Sequence, residues 1–276
     1  MKFSYNWLKE YLPKLPAVQK LAENLTLKSF EVEKIEKNNS DIVMDINLPP
    51  NRFSDSSGHL GLAKEISAIL DTPLKMPLFH LKENGKLKAS NFLQIKVQNK
   101  NDCLRYSSRV IFDVKVKESP DWLKKRLASC GLQSINNIVD ATNYVMLLTG
   151  QPLHAFDYDK LMGEKIKTLI VRRGLSKEKI ATLDDKEVEL NDNILVIADL
   201  KNPLAIAGIK GGKIAEIDSN TKRIVLESAN FDHALIRRAS QITKIVTDAS
   251  LRFERILSPS LTIDALNYVA ALIQKL

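Results

Sequence analysis

The stretch NNIVDATNYVMLLTGQPLHAFD, residues 136–157, decides the class of fold. It begins as a helix, and Gly150 marks its stop, because glycine takes the left-handed conformation that closes a helix. A proline and a lone histidine, His154, follow among apolar and amide residues. Upstream, SPDWLKKRLASCG (119–131) carries helix punctuation of its own. Ser119 is placed at the N-cap, Pro120 at the first position and Gly131 past the end. Downstream, strands dominate: TLIVRR (168–173), KIATLD (179–184), EVEL (187–190), ILVIAD (194–199) and RIVLES (223–228). DHALIRRASQI (232–242) and the C-terminal SLTIDALNYVAALIQKL (260–276) read as helices. Helices and strands are not regularly interleaved, so the expectation is α+β rather than a doubly wound α/β sheet.

Before these elements, FLQIKVQ (92–98) alternates Leu93, Ile95 and Val97, and RYSSRVIF (105–112) forms a second strand. DTPLKMPLFHLKENGKLKAS (71–90) lacks periodicity and holds two prolines, which marks a linker. The first residues form a smaller unit. Ser4 caps a helix with Trp7, Leu8, Tyr11 and Leu12 on one face, and AVQKLAENLTL (17–27) is a second helix. FEVEKIE (30–36) is a strand with Phe30, Val32 and, less strictly, Ile35 inward. EKNNSD (36–41) is a polar turn, and DIVMDINL (41–48) is a strand stopped by Pro49 and Pro50. A helix from Ser57 to Leu70 points Leu62, Ile66 and Ile69 inward. The division is therefore a small α+β unit (1–72), a linker (73–90) and a larger mixed domain (91–276).

The chain has 276 residues, 44% of them hydrophobic and 27% charged, which is enough for a real core. A net charge of +8 suits a polyanionic partner but equally a solvated lysine-rich surface. Cys103 and Cys130 make no disulfide framework, which points to a reducing compartment. MKFSYNWLKEYLPKL has no apolar core of a signal peptide, and no run is long enough for a membrane helix. A soluble, cytoplasmic protein is expected. The chain stops at the end of an apolar helix, which suggests a fragment.

Several groups are candidates for chemistry. AGIKGG (207–212) is glycine-rich but lacks the spacing and Lys-Ser/Thr of a phosphate-binding P-loop, so a tight turn is the better reading. His154, Asp157 and Asp159 offer metal-ligand types, yet without a second His or Cys or a recurrent ligand spacing. His154 therefore stays open between base, ligand, core residue and pocket wall. Glu227 ends an apolar run, Ile224–Val225–Leu226, and a carboxylate buried there needs a partner, either protein or ligand. TDASLRFER (247–255) mixes Arg252, Glu254 and Arg255 at a helix start, a local ion-pair network.

In family order, MKFSYNWLKEYL, DINLPPNRFSD, GLAKEISAI, GLQSINNIVDATNYVMLLTGQPLHAFD, LVIAD, LAIAGIKGG, LESANF and TDASLRFER resemble the β chain of bacterial phenylalanyl-tRNA synthetase. They cover nearly the whole chain. The resemblance implies the N-terminal part of that chain. FEVEKIEKNNSDIVMDINL crosses the place where the family inserts a tRNA-binding oligonucleotide-fold domain, so the insertion is absent here. It further implies that 91–276 is an editing domain, hydrolysing tyrosine wrongly attached to phenylalanine tRNA. Aminoacylation belongs to the α chain, so this piece alone has no cofactor, while the complete enzyme uses ATP and Mg. The implied partners are tRNA(Phe), the α chain of a heterotetramer and tyrosine as the edited moiety, with no membrane and no metal. By motif match, Glu227 accepts the tyrosine hydroxyl with help from the backbone at Gly208 and Gly211. Thr247 and Ala249 shape the wall, and Thr142, Asn143 and His154 line the side nearer the ester and the terminal adenosine. Gln133, Leu251, Ile256 and Asp185 depart from the family pattern. The alternative is a structural or tRNA-docking scaffold with a decayed pocket.

Overall fold

A computed structural model describes residues 1–38 and 41–276. The chain runs β1 (Lys2–Ser4), α1 (Tyr5–Tyr11), α2 (Val18–Lys28), β2 (Glu31–Asn38), β3 (Asp41–Asn47), α3 (Phe53–Ser56) and α4 (His59–Leu70). After a long segment come β4 (Leu93–Val97), β5 (Cys103–Ile111), α5 (Asp121–Ser129), α6 (Asn137–Thr149) and β6 (His154–Asp157). Then follow β7 (Lys167–Arg173), β8 (Lys179–Ala181), β9 (Glu187–Glu189), β10 (Leu195–Ala198), β11 (Pro203–Ile206), β12 (Lys210–Gly211) and β13 (Ile224–Phe231). Helices α7 (His233–Thr243), α8 (Asp248–Phe253) and α9 (Leu261–Lys275) complete it. Among the described residues, no helix is long and apolar enough to cross a membrane.

The first unit is a sheet in the order β1-β3-β2 with α1, α2 and α4 against it. The hydroxyl of Ser4 accepts the backbone N–H of Trp7 and so caps α1, as the sequence predicts. A register shift between Val32 and Lys34 explains why the alternation slackens before Ile35. The polar turn expected at 36–41 has its centre, 39–40, outside the described residues.

Two further sheets carry the rest. One has the order β12-β11-β10-β7-β4, antiparallel except for the parallel pair β4–β7. The other, β5-β13-β6, is antiparallel throughout, and β8 and β9 form a separate hairpin. The α+β expectation therefore holds, with helices gathered on sheet faces rather than alternating with strands.

Details differ from the sequence reading for physical reasons. RIVLES continues to Phe231 because Ala229 and Asn230 keep pairing with β5. KIATLD ends as a strand at Ala181. Helix α5 begins one residue later than expected, with Pro120 at the cap position. The buried Ser119 hydroxyl is taken instead by Asp140, to which it donates at 2.6 Å. The Asp140 carboxylate also accepts the Ser134 hydroxyl and the Ile135 N–H, so a shared buried acceptor outweighs local capping.

The segment between α4 and β4 holds no helix or strand except a short turn at Ala89–Asn91. It is nonetheless pinned to α9. The Tyr268 hydroxyl donates to Pro77 O, the Phe79 ring lies 3.9 Å from that of Tyr268, and the Gln274 amide pairs with the Lys82 backbone.

The apolar cluster of the first unit takes in Leu123 and Leu127 of α5 and Leu147 and Leu148 of α6. His59 sits at this junction, fully buried and stacked 3.9 Å from Trp7. Its Nε2 accepts the Ser4 N–H, which places the proton on Nδ1, donated to Leu147 O at 2.8 Å. Burial lowers its pKa to about 3, so the ring is neutral. At Gly58 the two parts approach so closely that a Cβ would stand 2.4 Å from the backbone nitrogen of Gly150. Gly150 itself has φ +83° and closes α6 as the sequence predicts.

Candidate functional site

Residue alternation along β13 builds the site. Ile224 and Leu226 face α6 and α9 together with Ala155, whereas Val225 and Ala229 face the core that holds Phe156. Glu227 lies between Val225 and Ala229 in sequence and so shares their face. Its partner across the strands is His154, so the two site candidates are direct neighbours. Gln151, wholly buried, donates its amide to Pro152 O and to Ala229 O, which fixes the turn after α6 against β13.

The third side is the loop from β11 to β12. Gly208 has φ +67°, and a Cβ there would meet Phe253 at 2.9 Å and Ile236 at 3.1 Å. Glycine is required twice over, by conformation and by space. Gly211 lets the His154 ring close in: a Cβ would lie 2.6 Å from its Cε1. The tight-turn reading of AGIKGG is the one the structure bears out, with the Ile209 N–H donating to Ile206 O. Thr247 caps α8 in a reciprocal arrangement with Ser250, and its hydroxyl donates to Ile209 O at 3.0 Å. That bond joins TDAS to the glycine loop.

These elements enclose a cavity of about 70 Å³. It is lined by Pro152, Leu153, His154, residues 205–211, Glu227, Ala249 and Phe253. Five of the sequence candidates are thus brought together: His154, Gly208, Gly211, Glu227 and Ala249. Thr247 stands behind the loop and braces it. Thr142 and Asn143 do not line the cavity. They belong to α6, which packs through Ile138, Ala141 and Val145 on the opposite face of the sheet. The Thr142 hydroxyl donates to Val139 O within its own helix. A larger cavity, about 620 Å³, lies between residues 81–92, β5 and α9 and contains none of the candidates.

The electrostatics of the small cavity are set by burial. Glu227 is 7% exposed, and burial raises its pKa to about 7. One oxygen, Oε2, accepts the phenol of Tyr106 at 2.5 Å, which acts against that rise. His154 is partly exposed yet closely packed, with its ring 4.5 Å from Phe156 and nearly perpendicular to it. Burial lowers its pKa to about 4, and the ring makes no hydrogen bond among the described residues. An imidazole held neutral in this way is a weak proton acceptor at neutral pH, and it shapes the cavity wall more than it drives proton transfer.

The metal alternative has no geometric support among the described residues. His154 and Asp157 stand three apart on a strand and face opposite sides. Asp157 accepts the Thr221 hydroxyl, and Asp159 pairs with Arg223. No group of three or more His, Cys, Asp or Glu side chains is placed to hold a metal ion among the described residues. Both cysteines are free, and burial pushes each thiol up to about 12. TDASLRFER holds two separate ion pairs rather than one network of Arg252, Glu254 and Arg255: Arg255 pairs with Glu254 at 3.7 Å, and Arg252, 1% exposed, donates to the Asp248 carboxylate at 2.9 Å and to Ser57 O at 3.2 Å.

Sequence reading missed Tyr106, Gln151, Lys210 and Phe253. Tyr106 packs against the core that holds Phe156, and no local signal in RYSSRVIF gives its partner 121 residues away.

A family model described as the B3/4 domain matches residues 102–276. The phenylalanine–tRNA ligase β subunit of Protochlamydia amoebophila is 47% identical over 235 residues, 85% of this chain and 29% of its own length. That of Rhodopirellula baltica is 39% identical over 259 residues, 94% of this chain and 37% of its own length. An N-terminal fragment of the phenylalanyl-tRNA synthetase β-subunit from Pyrococcus horikoshii aligns with 88% of this chain and 73% of its own, at 12% identity and a TM-score of 0.45. The chain thus spans about a third of the length of the curated relatives it matches.

Proposed function

The chain belongs to the B3/4 domain family, and from that premise we propose that it is the proofreading part of a phenylalanine–tRNA ligase β chain. It hydrolyses the ester of tyrosine wrongly joined to tRNA(Phe). The observation that carries this reading is the pairing of buried Glu227 with a glycine-lined cavity at the end of an apolar strand. A phenylalanine pocket discriminates weakly against a ligand that merely adds a hydroxyl. A second site that hydrogen-bonds the hydroxyl rejects the ligand without it by roughly 10⁴–10⁵-fold.

In this reading the tyrosine phenol donates to Glu227, and the backbone at Gly208 and Gly211 forms the floor. Ala249 leaves room for the ring, and Thr247 holds the loop in place. His154 positions the ester for attack by water, which yields free tyrosine and a tRNA with an intact terminal hydroxyl. Placement supplies much of the rate because the ester is intrinsically reactive. In this reading Thr142 and Asn143, on α6 across the sheet from the cavity, take no part in binding the ester, and that side is left to His154. The complete ligase is a cytoplasmic heterotetramer with the α chain, and ATP and Mg act there in aminoacylation.

A second reading, a docking scaffold with a decayed pocket, draws on one observation. An engineered cavity that admits benzene measures roughly 150 Å³. At about 70 Å³ this cavity must widen before it takes a phenol ring. One experiment separates the readings: deacylation of tyrosyl-tRNA(Phe) by the complete ligase carrying Glu227→Ala. Proofreading predicts a large loss of hydrolysis with aminoacylation intact. An unchanged rate of clearance leaves only the scaffold.

A further inference from the structure

We infer that Tyr106 is a positioning residue for Glu227: its phenol engages one carboxylate oxygen from inside the protein and holds the other for a phenol arriving on the ligand. The inference deepens the proofreading reading and rests on it for the identity of that ligand. Tyr106 on β5 is the strand partner of Ala229, and Glu227 is the partner of Ser108. Tyr106 is therefore the diagonal neighbour of Glu227 on the same face, within reach of a long side chain. Its hydroxyl donates to Oε2 at 2.5 Å, a short contact of the kind made to a charged acceptor. Oε1 accepts no hydrogen bond among the described residues, while Glu227 itself lines the cavity.

Between Val225 and Ala229, an untethered carboxyl group would take up a proton and turn freely about its last bond. The Tyr106 bond opposes both. It favours the charged form of Glu227 against burial, and it fixes the carboxylate plane. One phenol is built into the site, so the remaining oxygen is presented with the geometry and charge that suit a second. A ligand lacking the hydroxyl leaves that oxygen buried and unpaired.

The other titratable groups around Glu227 leave this role to Tyr106. Cys103, also on β5, is a neutral thiol, because burial raises its pKa to about 12. His154 on β6 is neutral at the pH of interest. Lys210 on β12 lines the cavity, but its ammonium lies 3.8 Å from Asp184. Ala249 and Phe253 of α8 carry no charge.

The test uses the 276-residue chain and Tyr106→Phe, which keeps the ring and its packing. Carbon NMR of the Glu227 carboxyl gives its titration midpoint directly. Calorimetry gives the affinity for free L-tyrosine and L-phenylalanine from about pH 5 to about pH 9. In the unaltered chain, tyrosine affinity rises through about pH 7, and phenylalanine affinity shows no such rise. Tyr106→Phe moves the Glu227 midpoint upward by about one unit and weakens tyrosine binding near neutrality about fivefold, with recovery at higher pH. A carboxyl midpoint that stays in place overturns the inference. A midpoint that moves while neither protein prefers tyrosine supports the positioning role and sinks the proofreading reading instead.

Discussion

Replacing Gly211 by alanine puts a methyl group where the His154 ring now lies. The added Cβ stands 2.6 Å from Cε1, 3.0 Å from Nε2 and 3.0 Å from a methyl of Leu183. Ordinary contact begins at 3.4 Å, so the ring must retreat by about 0.8 Å. Phe156, fully buried and edge-on to the ring, blocks one direction, and the retreat runs into the cavity. Gly211 does not have a positive φ, so the cost is collision and not backbone strain. Overpacking of this kind costs about 1–3 kcal/mol. That corresponds to a fall in Tm of roughly 2–10 °C for a chain of this size. The effect on function is larger, because a shift near 1 Å in a positioned group costs up to ~10²-fold in rate. Deacylation of tyrosyl-tRNA(Phe) by the complete ligase should therefore fall by roughly 10–100-fold, with aminoacylation unchanged. A variant with unaltered Tm and unaltered deacylation would show that His154 does not pack on Gly211 as described, and its positioning role would go with it.

Two further predictions concern stability. His59 is neutral when buried, with a pKa of about 3, and it takes a proton near 6.5 when unfolded. Its contribution is complete above the unfolded value and is lost as pH falls from there toward the folded one. The unfolding free-energy gap between the unaltered chain and His59→Phe should narrow by about 3 kcal/mol between about pH 7 and about pH 4.5, measured by denaturant titration. Glu227, raised by burial, acts in the opposite sense, and the comparison removes it because both proteins keep it. A gap that stays constant with pH would mean that burial does not hold His59 neutral. Asp248→Ala, at a half-exposed residue, should cost about 3 kcal/mol or more, because it leaves the buried Arg252 guanidinium with carbonyl partners only. Arg252→Met removes that charge and should cost less in the same denaturation assay; the reverse order would contradict the burial argument.

The sequence made the α+β class legible because helix stops and alternating runs are local signals. Gly150 and Gly208 are visible as punctuation, and both have positive φ. Gly211 is different: its reason is the His154 ring, which reaches it only through the pairing of Glu227 with His154. Register is a long-range property, and a one-residue slip would put Glu227 on the other face. For the same reason the chain order of Thr142, Asn143 and His154 suggests one wall, whereas the sheet stands between α6 and the cavity. Tyr106 shows the limit most clearly, since a phenol in an alternating strand has no local feature that names its acceptor. Composition detects an irregular segment at 73–90, but not that α5 and α6 lend leucines to the core on its far side.

Helix α6 contributes to two interiors at once: Leu147 and Leu148 to the first unit, Ala141 and Val145 to the sheet that carries Glu227. Its last turn is gripped by His59 and by the Gly58 backbone. The two regions therefore share one cooperative unfolding unit. Cutting the chain within 73–90 would strand each half with a torn interface instead of releasing two autonomous modules. Hydrogen exchange in α6 and in β13 would follow the same global opening, and the sheet that carries Glu227 would inherit its rigidity from the rings of Trp7 and His59 in the first unit.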